Sequence, residues 1–85
     1  MKEIKYVITD ELGIHARPAG LLVKEAKKFT SAVKLSKDAK TVDAIGIMGV
    51  MSLGAKKGHE VTVMCDGADE DAAIAALEDF FKTNL

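Results

Sequence analysis

Tryptophan is absent from this 85-residue sequence, aromatic residues make up only 5% of it, and it holds one cysteine and one proline. With so few rings, the core has to be assembled from Val, Ile, Leu, Ala and Met, which a hydrophobic content of 48% allows. A lone cysteine excludes an internal disulfide. Cys65 lies in the strand-like run Val61–Cys65 and reads as a small, buried, apolar residue. A net charge of −1 excludes a strongly basic domain, so no general nucleic-acid or anionic-membrane role is expected. No apolar run reaches membrane-spanning length and no signal peptide is visible, so the expectation is a cytoplasmic protein with no direct membrane insertion. The length fits one domain over residues 1–85, near the lower size at which a core holds without staples. His59 reads as a solvated loop residue. Cys65 and His59 could be imagined as metal ligands, but their spacing gives that idea little support, and no metal or cofactor is expected.

What the sequence does have is the stretch Leu12-Gly13-Ile14-His15-Ala16-Arg17-Pro18-Ala19-Gly20. A strand-like run ends before it and an apolar pattern of helical period starts after Pro18. Proline suits a first helical turn, where its missing N–H would have had no intrahelical partner. His15 is thereby placed at the mouth of a helix. The N–H groups of Ala16, Arg17 and Ala19 are expected to lack acceptors and, with the helix dipole, to form an anion site. Arg17 adds a forked, permanent positive charge. A neutral imidazole beside an anion cradle is what transient phosphorylation of a histidine needs. The competing reading, a polar N-cap residue on a loop, explains His15 but not Arg17 and Pro18 in this order.

Along the chain, Ile4, Tyr6 and Ile8 alternate as on a half-buried first strand. Ala19, Leu22, Val23, Ala26 and Phe29 follow helical spacing and predict a helix from about Ala16 to about Lys28, with Leu21, Lys24 and Lys27 on its outer side. Strands carrying Val33, Leu35 and Val42 are joined at Lys37-Asp38-Ala39-Lys40, a hairpin spacing without an Asn-Gly pair. Ile45 to Leu53 reads as a short helix ended by Gly54. A strand follows over Glu60–Cys65. Asp69, Glu70 and Asp71 crowd the start of a last helix, from about Glu70 to about Lys82, where their charge complements the dipole. Ala73, Ile74, Leu77, Phe80 and Phe81 supply its buried face. The order β, α, β, β, α, β, α predicts an α+β layer fold. On the short helix, Met48 and Met51 compete with Ile47, Val50 and Leu53 for burial, and methionine at helical spacing is ordinarily core.

Gly13-Ile14-His15-Ala16-Arg17-Pro18-Ala19, with Ile47-Met48-Gly49-Val50-Met51-Ser52-Leu53-Gly54 downstream, resembles HPr, the histidine-containing phosphocarrier family of the bacterial phosphoenolpyruvate:sugar phosphotransferase system. The likeness covers essentially the whole chain. It implies an open-faced β-sandwich, a four-stranded antiparallel sheet of order 1-4-2-3 covered on one side by three helices. It also implies a phosphotransfer intermediate, not a free-standing enzyme. His15 would take a phosphoryl group from phospho-enzyme I and pass it to sugar-specific IIA domains, with Arg17 and the Ala16 and Arg17 amides holding phosphate oxygens. The docking face would comprise Leu21, Lys24, Lys27, Ile47, Met48, Met51 and Ser52, on a protein expected to be a monomer. Rival expectations are an HPr-fold regulatory docking protein and a nitrogen-branch phosphocarrier. The chain departs from the family at Gly46, where many members carry a serine phosphorylated by HPr kinase, and at Ile45, where lysine is common.

Overall fold

A computed structural model describes residues 1–85. Its elements are β1 (Lys2–Val7), α1 (Ala16–Ala26), β2 (Ala32–Lys37), β3 (Lys40–Asp43), α2 (Ile47–Ser52), β4 (Glu60–Asp66) and α3 (Glu70–Asn84). The four strands form one antiparallel sheet of order β1-β4-β2-β3. Both the element order and this strand order are those expected from the sequence and from the resemblance. α1 and α2 are shorter than their apolar periodicity suggests, and α3 runs two residues further. No helix is long and apolar enough to cross a membrane.

The alternation in β1 does what period two requires: Ile8 is buried and Ile4 and Tyr6 pack against the core, whereas Val7 is exposed on the other face. Register sets Ile4 opposite Val63 and Leu35 opposite Val63 on the other side, so one layer of branched side chains faces the helices. Leu22 from α1, Val50 from α2, and Leu77 and Phe81 from α3 close over it, all fully buried. Each contributes about 1.5–3 kcal/mol by leaving water. The chain's few rings are concentrated here. Tyr6 and Phe80 both meet Phe81 edge-on, at centroid distances of 5.5 and 6.1 Å. Ile74 and Phe80, placed on the buried face of α3 by spacing, are only partly covered.

Three local devices hold the layers in place. The β2–β3 hairpin turns through Asp38, whose φ of +55° makes it the only non-glycine residue in the left-handed region. A short polar side chain tolerates that backbone, so the turn forms without Asn-Gly. The hairpin then clamps α2: Lys40 Nζ donates to the Ser52 carbonyl at 3.0 Å and Lys37 Nζ to the Leu53 carbonyl at 3.4 Å. These are the orphan acceptors of a helix C-terminus, which cations suit. At the opposite end, the Asp69 carboxylate accepts the N–H of Thr30 and of Ser31, each at 2.9 Å, and the Ser31 hydroxyl. Asp69 stands at the N-cap of α3, but its side chain does not cap that helix. It ties the α1–β2 connection to the start of α3. Those three donors hold its carboxyl down at about 2, led by the Ser31 hydroxyl.

Cys65 is fully buried in β4, and burial pushes its thiol up, which suits an inert core residue. His59 is more than a solvated loop residue. Its Nδ1 accepts the Lys56 N–H at 3.0 Å and its own N–H donates to the Lys56 carbonyl, so it folds the loop that precedes β4. No group of three or more His, Cys, Asp or Glu side chains is placed to hold a metal ion.

Candidate functional site

His15 is the N-cap residue of α1, with extended backbone at φ −98°, ψ −173° and no capping bond from its side chain. The first helical bond runs from the Ala19 N–H to the His15 carbonyl at 2.9 Å. This corrects the expectation that Ala19 offers a free donor: residue 19 is already far enough into the helix to reach back four residues. The His15 N–H is also engaged, on the Gly13 carbonyl at 3.1 Å. With Pro18 lacking a donor, the N–H groups of Ala16 and Arg17 are left for an anion. No acidic residue occupies the first turn of α1, so nothing in the helix competes for that position.

The side chains of Asp10, His15, Arg17, Pro18, Leu21 and Asn84 line a cleft of about 290 Å³. His15 is half-buried there and makes no hydrogen bond to another side chain or to the backbone through its ring, while Arg17 is exposed and has no carboxylate within ion-pair distance. A ring nitrogen and an uncommitted guanidinium thus share one small space, at a helix start whose Ala16 and Arg17 amides lack intrahelical acceptors. The chemistry they suit is acceptance of a phosphoryl group.

Gly13 fixes where this loop sits. Its φ is +66°, and a Cβ there would stand 2.2 Å from the Ala55 carbonyl oxygen and 2.6 Å from the Lys56 Cα. The Ile14 N–H donates to that same Ala55 carbonyl at 3.0 Å. Only glycine permits this approach, which stitches the His15 loop to the segment that follows α2. Gly54, with φ +62°, supplies the left-handed turn that ends α2.

The rim brings together α1 and α2. Leu21, Ile47 and Met51 are exposed and Met48 is 81% exposed, whereas only Val50 of α2 is buried. The reading of these methionines as core, which helical spacing alone favoured, does not hold: a six-residue helix has one inward position, and Val50 takes it. Lys24 is exposed on α1 and Lys27 is exposed at its C-cap. Ser52 is exposed at the end of α2, its hydroxyl donating to the Gly49 carbonyl at 2.6 Å. Gly46 is the N-cap of α2 with open space around its Cα, so the family serine would fit without strain.

Two lining residues, Asp10 and Asn84, have no counterpart in the sequence reading. Asp10 was detectable as the start of an Asx turn, two residues ahead of Leu12-Gly13. Asn84 was hidden because no glycine or proline follows Lys82 to mark where α3 continues or ends.

Residues 2–83 match a family model described as PTS-HPr, the PTS HPr component phosphorylation site. The structure is similar to HPr from Thermoanaerobacter tengcongensis, at 46% identity and a TM-score of 0.93, over 98% of this chain and 93% of that one. That protein is also known as an HPr dimer. A histidine-containing phosphocarrier protein of Mycoplasma is 40% identical with a TM-score of 0.90, over 93% and 90% of the two chains. Crh of Bacillus subtilis, a catabolite repression protein that forms a swapped dimer, is 42% identical with a TM-score of 0.79, over 100% and 98%. With its sheet order, its motif and these likenesses all spanning nearly the full length, the chain belongs to the HPr family of phosphocarriers of the phosphotransferase system.

Proposed function

We propose that His15 is the phosphoryl carrier, charged by phospho-enzyme I and discharged to IIA domains of sugar permeases during sugar uptake in the cytoplasm. The observation that carries this is the imidazole set as N-cap of a helix whose first turn has two free N–H groups, an adjacent Arg17 and no acidic residue. In the charging step a neutral ring nitrogen of His15, Nδ1 as the family resemblance implies, supplies the electron pair to phosphorus. The bond from phosphorus to the donor's histidine breaks, its electrons return to that ring, and one proton passes from His15 to the donor imidazole. Discharge runs the same exchange with the acceptor histidine. Arg17 and the Ala16 and Arg17 amides hold the equatorial oxygens, where charge builds in the in-line transition state. The chain is therefore a substrate and co-catalyst of its partners' reactions.

Such transfer needs two imidazoles brought to one phosphorus, so whatever surrounds His15 is covered in the complex. Leu21, Ile47, Met48 and Met51 form the apolar centre of that contact, Ser52 borders it, and Lys24 and Lys27 steer acidic partners. The carrier is read as acting as a monomer. A regulator that only docks needs no nucleophile, and the uncommitted His15 and Arg17 favour carriage over that role. With glycine at position 46, no hydroxyl is present there for a serine kinase.

Incubation with phosphoenolpyruvate and enzyme I tests the reading. One acid-labile, base-stable phosphate on His15 is expected, with none on a His15→Ala protein that melts like the parent. Label persisting on His15→Ala removes the assignment. Met48→Asp should raise the KM for enzyme I about tenfold with little change in Tm, because the side chain is already in water.

A further inference from the structure

We propose that Asp10 is a fixed negative charge in the phosphate cleft, which lowers the stability of phosphorylated His15 and so favours onward transfer. The inference rests on the carrier reading above and concerns the energy of the carried group. Asp10 is half-buried and lines the cleft with His15 and Arg17. Its backbone is pinned on both sides and one turn hydrogen bond orients its carboxylate. Its N–H donates to the main-chain oxygen of Leu85 at 2.8 Å, its carbonyl accepts the Gly13 N–H at 3.0 Å, and its Oδ1 accepts the Leu12 N–H at 2.9 Å. That leaves Oδ2 with no protein donor and no cation within ion-pair distance. The turn holds the carboxylate while nothing neutralises it.

Before phosphorylation this charge is harmless, since no other acidic side chain lines the cleft and the nearby guanidinium is attracted by it. After phosphorylation the cleft holds an added charge of roughly −1.5 to −2, by analogy with other phosphorylated side chains. Asp10 then repels the new group and competes for the field of Arg17, in a partly enclosed space where charges are screened less than on an open surface. The ground state of the phosphorylated carrier is raised. When the phosphoryl group leaves for an acceptor imidazole, the N–P electrons return to the His15 ring and the repulsion is relieved.

Asp10→Asn isolates the charge, because an amide oxygen can still accept the Leu12 N–H. The measurement is the equilibrium phosphorylated fraction against phosphoenolpyruvate-charged enzyme I, followed by ³¹P NMR. An equilibrium constant does not depend on how well the donor docks, so a changed contact surface cannot imitate the effect. We expect Asp10→Asn to raise the constant for His15 phosphorylation about three- to tenfold at ~25 mM salt, shrinking to under about twofold at ~0.5 M. Asp10→Ala, which also loses the turn, should show the same salt-dependent gain. An unchanged constant for Asp10→Asn at low salt, or a change that ignores salt, overturns the proposal. If the unsubstituted chain takes no phosphate on His15, the carrier reading itself fails. If it does and Asp10→Asn matches it, only Asp10 is wrong.

Discussion

The two long helices begin in opposite ways. α3 opens with Asp69, Glu70 and Asp71, and its start is tied into the fold: Asp69 binds Thr30 and Ser31, and Glu70 accepts the Gly67 N–H at 3.2 Å. α1 opens with His15, Ala16 and Arg17, has no acid in its first turn, and leaves two N–H groups without partners. The same backbone dipole is present in both. One start carries the protein's own carboxylates, which bond to neighbouring segments rather than cap the helix and so make a joint. The other carries no carboxylate, which is the arrangement that suits the external anion of the proposed role. What distinguishes the two starts is the acidic charge that one has and the other lacks.

Filling the open start should produce the largest effect. Ala16 is exposed, so Ala16→Glu can be accommodated, and it gives α1 the acidic first turn that α3 already has. Stability should rise by about 0.3–1 kcal/mol. Phosphoryl acceptance should fall by about a hundredfold, since a carboxylate then stands where the phosphate must sit. Stopped-flow transfer and thermal melts on one preparation check both signs. Loss of transfer together with loss of stability would mean that the helix start had been disrupted and not filled.

Displacing the open start without altering its chemistry should cost less activity and more stability. Gly13→Ala forces a Cβ onto the Ala55 carbonyl at a φ that L-residues avoid. The expected loss is about 2 kcal/mol, roughly 10 °C in Tm for a chain this size. Slower transfer should accompany it, because the stitch that positions His15 is broken. A melt within about 2 °C of the parent would show that the loop relaxes freely and that the stitch does not position the site.

The smallest effect belongs to the closed start. Asp69 titrates at about 2 in the fold, below its ordinary value of 3.8, so the unfolded chain takes up its proton first as pH falls. Its stabilisation is therefore complete above about pH 4 and is lost as pH drops through about 2. Asp69→Asn should be less stable than the parent at pH 7, with the gap between the two closing toward pH 2. Urea midpoints at pH 7, 4 and 2 measure this. A gap of constant size would show that shape, not charge, is what Asp69 supplies.

Much of this was legible in the sequence, because local rules govern it. Period two placed Ile4, Tyr6 and Ile8; Pro18 marked the start of α1; Gly54 marked the end of α2. Where the reading failed, a longer-range fact decided. That the Ala19 N–H is already bonded depends on counting from His15, not from Pro18. The exposure of Met48 follows from the sheet having room for one side chain of α2, and Val50 takes it. Asp69 reaching Thr30 and Ser31 joins residues almost forty positions apart, which no local rule anticipates. Asp10 and Asn84 meet at the cleft only because the end of α3 folds back onto the end of β1, where the Thr9 and Asp10 N–H groups reach Leu85.

The lysine clamp on α2 bears on how quickly a carrier can change partners. A six-residue helix does not hold together by itself in water. Here Lys37 and Lys40 hold its last turn from the neighbouring hairpin, and Val50 anchors its middle. Its ordering is complete once the chain folds, and no segment has to freeze at each encounter. On the proposed role, a modest contact area then suffices for recognition, without the tight grip needed to offset ordering on binding. Modest grip means short residence. A shuttle that must leave one protein before it can serve the next is thereby free to turn over at the pace of the chemistry, not of its own release.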